Sequence, residues 1–204
     1  MPRNSEQNQR IKDERREQIM RAGLKIFAQK GLAATKISDI AAMANLSYGL
    51  VYHYFHDKEE LYYTLVERAL QGSTRVTARA LEQPGSAWDR LVGLVTDMVD
   101  GIRRTPEYFW IVLQVQVTEP PSSGLQTMIQ RYGLQTQENV ISLIRLAQEE
   151  GQVTSNVDAR ELAIMLLSIM PGLSLTTTMI GQTSISYTDN DFPSVETILR
   201  FFRP

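Results

Sequence analysis

The 204-residue sequence contains no cysteine, which excludes disulfides, thiolate nucleophiles and cysteine-ligated zinc and suits a reducing compartment. It has two histidines, His53 and His56. A metal held by that i, i+3 pair would need carboxylates alone for its remaining ligands, so neither a metal nor a cofactor is expected. A glycine-rich phosphate loop, a nucleophile elbow and a His-Glu metal motif are all missing, which argues against an enzyme. No run alternates apolar and polar residues between hairpin turns, so a sheet is not expected. The polar residues 3–18 are not followed by an apolar run of signal-peptide length; no export signal is visible, and a cytoplasmic location is expected. The stretch 162–188 carries no charge and has the length of a membrane span. Pro171, Gly172 and Gly181 interrupt it, and Ser174, Thr176, Thr177, Thr178, Gln182, Thr183 and Ser184 lower its hydropathy to that of a buried or interface helix.

What is present suffices for a folded core, with 43% hydrophobic residues in a length that suits one or two domains. The net charge of −2 conceals an asymmetry. Residues 1–58 hold ten lysines and arginines against six acids, a net of +4, and residues 59–204 hold eleven against seventeen, a net of −6. A basic head on an acidic body lets one end alone approach a polyanion. Because acids interleave the basic residues between Arg10 and Arg21, an ordinary solvated helix accounts for that stretch equally well.

Helical periodicity runs through the chain. Ile19, Ala22, Gly23, Ile26 and Phe27 form an amphipathic stripe that Gly31 ends, with Lys30 complementing the helix dipole. Thr35 is a candidate N-cap for a short second helix whose inner face is Ile37, Ile40, Ala41 and Ala44. Asn45 tolerates positive φ, and Ser47 can cap a third helix with Val51 and Phe55 on one face. Two short helices joined by about three residues form a helix-turn-helix. Asp57 with Glu60 resembles a capping box for a fourth helix running to about Leu81, with Leu61, Leu65, Ala69 and Leu70 turned inward. Further helices are predicted over 88–102, 106–117, 125–150, 158–180 and 194–202, with breaks at 105–106, 119–121, 151 and 184–191. The predicted class is all-α with about nine helices.

Phe27, Ile37, Ile40, Leu46, Val51 and Phe55 would fill a small three-helix core and leave the third helix free to enter a major groove. Gly49 permits close backbone approach, and Tyr48 and Leu50 can reach base edges. Thr35, Tyr52, His53 and Lys58 offer groups suited to phosphate oxygens, and Lys36 stands at the second helix's N-terminus, where a phosphate is favoured. For Phe55 a core role is preferred.

Residues 19–61 resemble the DNA-binding domain of the TetR family of bacterial regulators. The residues that carry the likeness are Ile19, Ala22, Phe27, Gly31, Thr35, Ile37, Ile40, Ala41, Ala44 and Ser47. The string Gly49-Leu50-Val51-Tyr52-His53-Tyr54-Phe55, followed by Lys58, Glu60 and Leu61, is its strongest part. The resemblance implies DNA contacts by Thr35, Lys36, Ser47, Tyr48, Gly49, Leu50, Tyr52, His53 and Lys58. It also implies a DNA-binding domain over 1–57 and a helical regulatory domain over 58–204. The sequence departs from the family at Asn45, where glycine is common, at Tyr48, often basic, and at Leu50, often small. The last two point to a different operator preference.

By the same resemblance the protein is expected to be a regulator, most plausibly a repressor, that binds a palindromic operator as a homodimer and is released by a small, largely apolar effector. Trp88, Met98, Phe109, Trp110, Met128 and Tyr132 are candidate cavity residues, with Tyr108 beside them and Gln114 and Gln116 as polar anchors. Helices 159–180 and 194–203 look too apolar to stay exposed, and pairing with a second copy would bury them; completing the monomer's own core is the competing account. Ligand binding is then expected to favour an arrangement in which the recognition helices miss their half-sites. A helical ligand-binding or scaffolding protein without specific DNA binding, or an activator of the same fold, is the alternative.

Overall fold

A computed structural model describes residues 2–117, 123–179 and 192–204. The predicted breaks at 119–121 and 184–191, and Ile180, lie outside the described residues. Among those described the chain is all-helical: α1 (Pro2–Ala34), α2 (Ile37–Ala44), α3 (Tyr48–Tyr54), α4 (Lys58–Glu82), α5 (Ala87–Arg104), α6 (Pro106–Val117), α7 (Ser123–Glu149), α8 (Ala159–Met179) and α9 (Val195–Leu199), with a closing 3₁₀ turn at Arg200–Phe202. The chain divides into two compact units, Met1–Glu67 and Arg68–Pro204. That division falls inside α4, further along than the boundary after residue 57 read from sequence. The reason is the apolar face of the first turns of α4, where Leu61, Leu65 and Val66 are fully buried and Gly23 of α1 lets Leu61 approach closely.

In the first unit α1 begins far upstream of the apolar stripe at Ile19 and breaks at Gly31 (φ 72°, ψ 173°), a conformation that glycine reaches without cost. Asn45 takes the predicted left-handed turn (φ 53°). Phe27, Ile40, Val51 and Phe55 are buried as predicted, and Leu46 is half-buried. The second unit packs α5, α7 and α8 around Leu91, Leu94, Ile102, Ile141, Ile144, Ala163 and Leu166.

The C-terminal segment corrects one expectation. Ile198, Leu199 and Phe202 are buried in their own unit's core, and the Thr154 amide donates to the Phe202 carbonyl at 2.9 Å. Residues 194–203 therefore complete the core, leaving Phe201, 71% exposed, as their large apolar group at the surface. Among the described side chains of α8 the exposed large apolar groups are Ile164 and Met165, 47% and 45% exposed. Ile164 lies one turn beyond Arg160, whose guanidinium reaches Glu138 of α7 at 3.2 Å. Among the described residues no helix is long and apolar enough to cross a membrane.

Candidate nucleic-acid interface

Helix α3 is held from behind and open in front. Val51 and Phe55 are buried, while Tyr48 (55% exposed), Gly49, Tyr52 (42%) and His53 lie at the surface. Leu50, expected to face fully outward, is half-buried. The Ser47 hydroxyl accepts from the Leu50 amide at 3.3 Å, the predicted cap. A Cβ on Gly49 would meet nothing within 4 Å, so close approach is open from outside. The rings of Tyr48 and Tyr52, one turn apart, meet edge-on with centroids 4.9 Å apart, and their hydroxyls are 3.2 Å from each other. That hydrogen bond is the main reason the Tyr52 phenol titrates above its ordinary value of 10.0. It thus stays a neutral donor at physiological pH.

Beside these tyrosines lies a polar concavity of about 420 Å³ bordered by Thr35, Lys36, Ser38, Tyr48, Tyr52 and Lys58. Its floor includes the start of α2. There Lys36, not Thr35, occupies the cap position, and its own side chain makes no capping hydrogen bond. The Asp39 amide donates to the Lys36 carbonyl at 3.0 Å, which leaves the amides of Ile37 and Ser38 for an anion, next to an exposed lysine. The Lys30–Asp39 ion pair at 2.7 Å joins the end of α1 to α2. Lys30 is the main cause of the lowered Asp39 carboxyl.

Two of the sequence-derived contact residues have other partners. Thr35 is 1% exposed, and its hydroxyl donates to the Gly31 carbonyl at 2.6 Å, so it neither caps α2 nor reaches outward. The Lys58 ammonium donates to the carbonyls of Leu32 (2.9 Å), Ala33 (3.1 Å) and Thr35 (3.1 Å), closing the broken end of α1. Sequence reasoning missed Gln18, whose amide donates to the Ala44 carbonyl at the end of α2 (2.6 Å), and Arg16, whose guanidinium lies 5.0 Å from the Phe55 ring centroid. Neither carries a local signal, because each partner is more than twenty residues away in the chain.

Asp57 caps α4 as expected, accepting from the Glu60 amide at 2.7 Å. Glu60 reaches back to the His56 amide (2.6 Å), one residue earlier than in a standard capping box. The Glu60 amide first, then His56, holds the Asp57 carboxyl below its ordinary value of 3.8. A lowered carboxyl stabilises the folded form above 3.8 and loses that contribution as pH falls through the folded value; the near-surface position keeps it small. Asparagine caps as well as aspartate. Asp57→Asn is therefore expected to leave the melting temperature at neutral pH nearly unchanged and to lessen the fall at about pH 3, as read by thermal melts at both. His56 pairs with this carboxylate at 3.0 Å; among the described residues no group of three or more His, Asp or Glu could hold a metal.

The second unit holds a cleft of about 510 Å³ lined by α4, α5, α6 and Pro171 of α8. Met98 and Phe109 line it, as do Tyr108 and Gln116. Trp88, Trp110, Gln114, Met128 and Tyr132 are not among its lining residues. Trp88 lies under the Arg203 guanidinium, 3.7 Å from its ring centroid. The Tyr132 hydroxyl accepts from Gln71 at 3.0 Å, part of a polar seam in which Thr74 meets Thr136 and Asn139 donates to Thr77. The cleft residues absent from the sequence reading include Asp97, Gly101 and Arg104 of α5, Val112 and Leu113 of α6, and the whole α4 wall, where Gly72-Ser73 inside a helix was the available sign. A mid-helix glycine costs about 1 kcal/mol relative to alanine.

Residues 19–63 match the family model described as bacterial regulatory proteins, tetR family. The chain is 34% identical over 73 residues to the HTH-type transcriptional regulator HbdR of Aromatoleum sp., covering 36% of this chain and 32% of that protein. It is 27% identical over 103 residues to the HTH-type transcriptional repressor NicS of Pseudomonas putida, covering 49% and 47%. Across the first three such relatives the chain spans between 32% and 47% of the relative's length. Among solved structures, the TetR family transcriptional regulator PfmR of Thermus thermophilus superposes with a TM-score of 0.70 at 22% identity, over 89% of this chain and 97% of that one. That likeness shows the fold, and it covers both units.

Proposed function

By its residues 19–63 the chain belongs to the TetR family of bacterial regulators, and on that premise we propose that it is an effector-responsive repressor that binds a palindromic operator as a homodimer in the cytoplasm. One observation carries the reading: α3 turns Tyr48, Gly49, Tyr52 and His53 to the surface while Val51 and Phe55 lock its back. Tyr48 and Leu50, flanking a glycine that admits a base edge, read sequence. Tyr52, His53, Lys36 and the open amides of α2 take phosphates and set register. Thr35 and Lys58 act behind them, by shaping the turn that carries Lys36.

Ile164 and Met165 on α8, with the small Ser168 and Gly172 further along the exposed side, are the face that a second copy covers. A twofold pair then presents two recognition helices to two half-sites. The relative NicS is named a repressor and the relative FasR an activator; repression is the sign proposed here. The cleft of the second unit is the effector site, and its occupation lowers operator affinity by linkage.

Selection of bound fragments from random duplex by the full chain tests this. The expected result is a consensus of two inverted half-sites. Tyr52→Ala should weaken binding by about tenfold on every selected sequence alike, as loss of a phosphate contact does. Recovery of fragments with no shared sequence would overturn the regulator reading and leave a helical ligand-binding protein.

A further inference from the structure

We propose that the cleft of the second unit takes an elongated apolar molecule with a carboxylate head, an inference that rests on reading this cleft as the effector site. Its walls include Val76, Met98, Phe109, Val112 and Leu113, a surface suited to hydrocarbon. Its charged lining residues are three arginines, Arg68, Arg75 and Arg104, against one acid, Asp97. Arg75 and Arg104 make no hydrogen bond, ion pair or ring contact among the described residues. Arg75 and Arg104 are exposed, so water solvates them in the empty cleft and an apolar ligand without charge would gain nothing from them. A carboxylate meets them through the bidentate hydrogen bonds that guanidinium groups favour.

Shape sets the rest of the molecule. The lining runs along α4 from Arg68 to Thr77, about 13 Å at the helical rise per residue. That is a slot for an extended chain. Gly72 forms part of its wall, and a Cβ there would meet nothing within 4 Å.

Calorimetric titration of the full chain with dodecanoate below its micellar concentration and with dodecanol below its solubility limit tests the proposal. Dodecanoate is expected to bind at least about tenfold more tightly than the alcohol, the worth of one good charge-assisted hydrogen bond. In the double variant Arg75→Gln with Arg104→Gln that ratio should fall to near unity. Gly72→Leu places a side chain in the slot without straining the helix, so both probes should bind at least about tenfold more weakly while the melting temperature holds or rises. Equal affinity for acid and alcohol, an unchanged ratio in the double variant, or full-strength binding of dodecanoate to Gly72→Leu would each overturn it. Fluorescence anisotropy of the selected operator with saturating dodecanoate separates the two readings. Tight acid binding without loss of operator affinity keeps the ligand class and removes the effector role. Equal binding of the two probes removes the ligand class alone.

Discussion

Phe27→Ala should unfold the first unit and abolish duplex binding. Phe27 is fully buried, and its ring meets Tyr62 edge-on with centroids 5.0 Å apart. Truncating a buried phenylalanine costs about 3–5 kcal/mol. A unit of this size has a total stability of roughly 3–10 kcal/mol, so the loss removes most of its margin. The Tyr62 hydroxyl, pushed up to about 12 chiefly by burial, offers no compensation, because it stays neutral and its ring loses a partner. The second unit keeps its own core around Leu91, Ile144 and Leu166. Hydrogen exchange resolved by peptide should show residues 19–67 losing protection while residues 87–102 and 140–170 keep theirs. Protection of α1 and duplex affinity at native levels would contradict this account of the core.

Lys58→Met has the second-largest expected effect, and it separates two jobs for one side chain. The ammonium closes α1 by donating to the carbonyls of Leu32, Ala33 and Thr35. Methionine keeps the apolar stem and removes those donors. Because the site is half-buried, water re-solvates part of what is lost, and the expected cost is about 2 kcal/mol. The turn carrying Lys36 loosens, so duplex affinity falls by about tenfold or more. A phosphate-contacting lysine also lowers the slope of log affinity against log salt by about one when removed. Here the ammonium is already engaged, so the slope should stay as it is. A slope reduced by one with an unchanged melting temperature would return Lys58 to the phosphate.

The helices were legible because their signals are local. The stripe from Ile19 to Phe27 ends at the one residue type that takes φ 72° without strain. Asn45, Ser47 and Asp57 each act within four residues of themselves. The outward face of α3 follows the same way, since burying Val51 and Phe55 turns Tyr48 and Tyr52 outward at helical spacing. Thr35 misled because a hydroxyl before a helix has two local partners; it took the carbonyl at Gly31 behind it instead of the amides ahead. The aromatic and amide candidates of the second unit divided between the cleft, the core and its edges because nothing in their spacing says which helix faces which.

Composition and period alone determined an all-helical chain, the turn at Asn45, the caps at Ser47 and Asp57, and a short helix with an open outer face, because those depend on interactions within a few residues. Tertiary packing decided the rest: that Lys58 closes the end of α1, that Ile198, Leu199 and Phe202 serve their own core, and that Gly72, Arg75 and Arg104 border one cleft. Each of these joins residues more than twenty positions apart, where chain connectivity no longer constrains which surfaces meet and burial of complementary faces does.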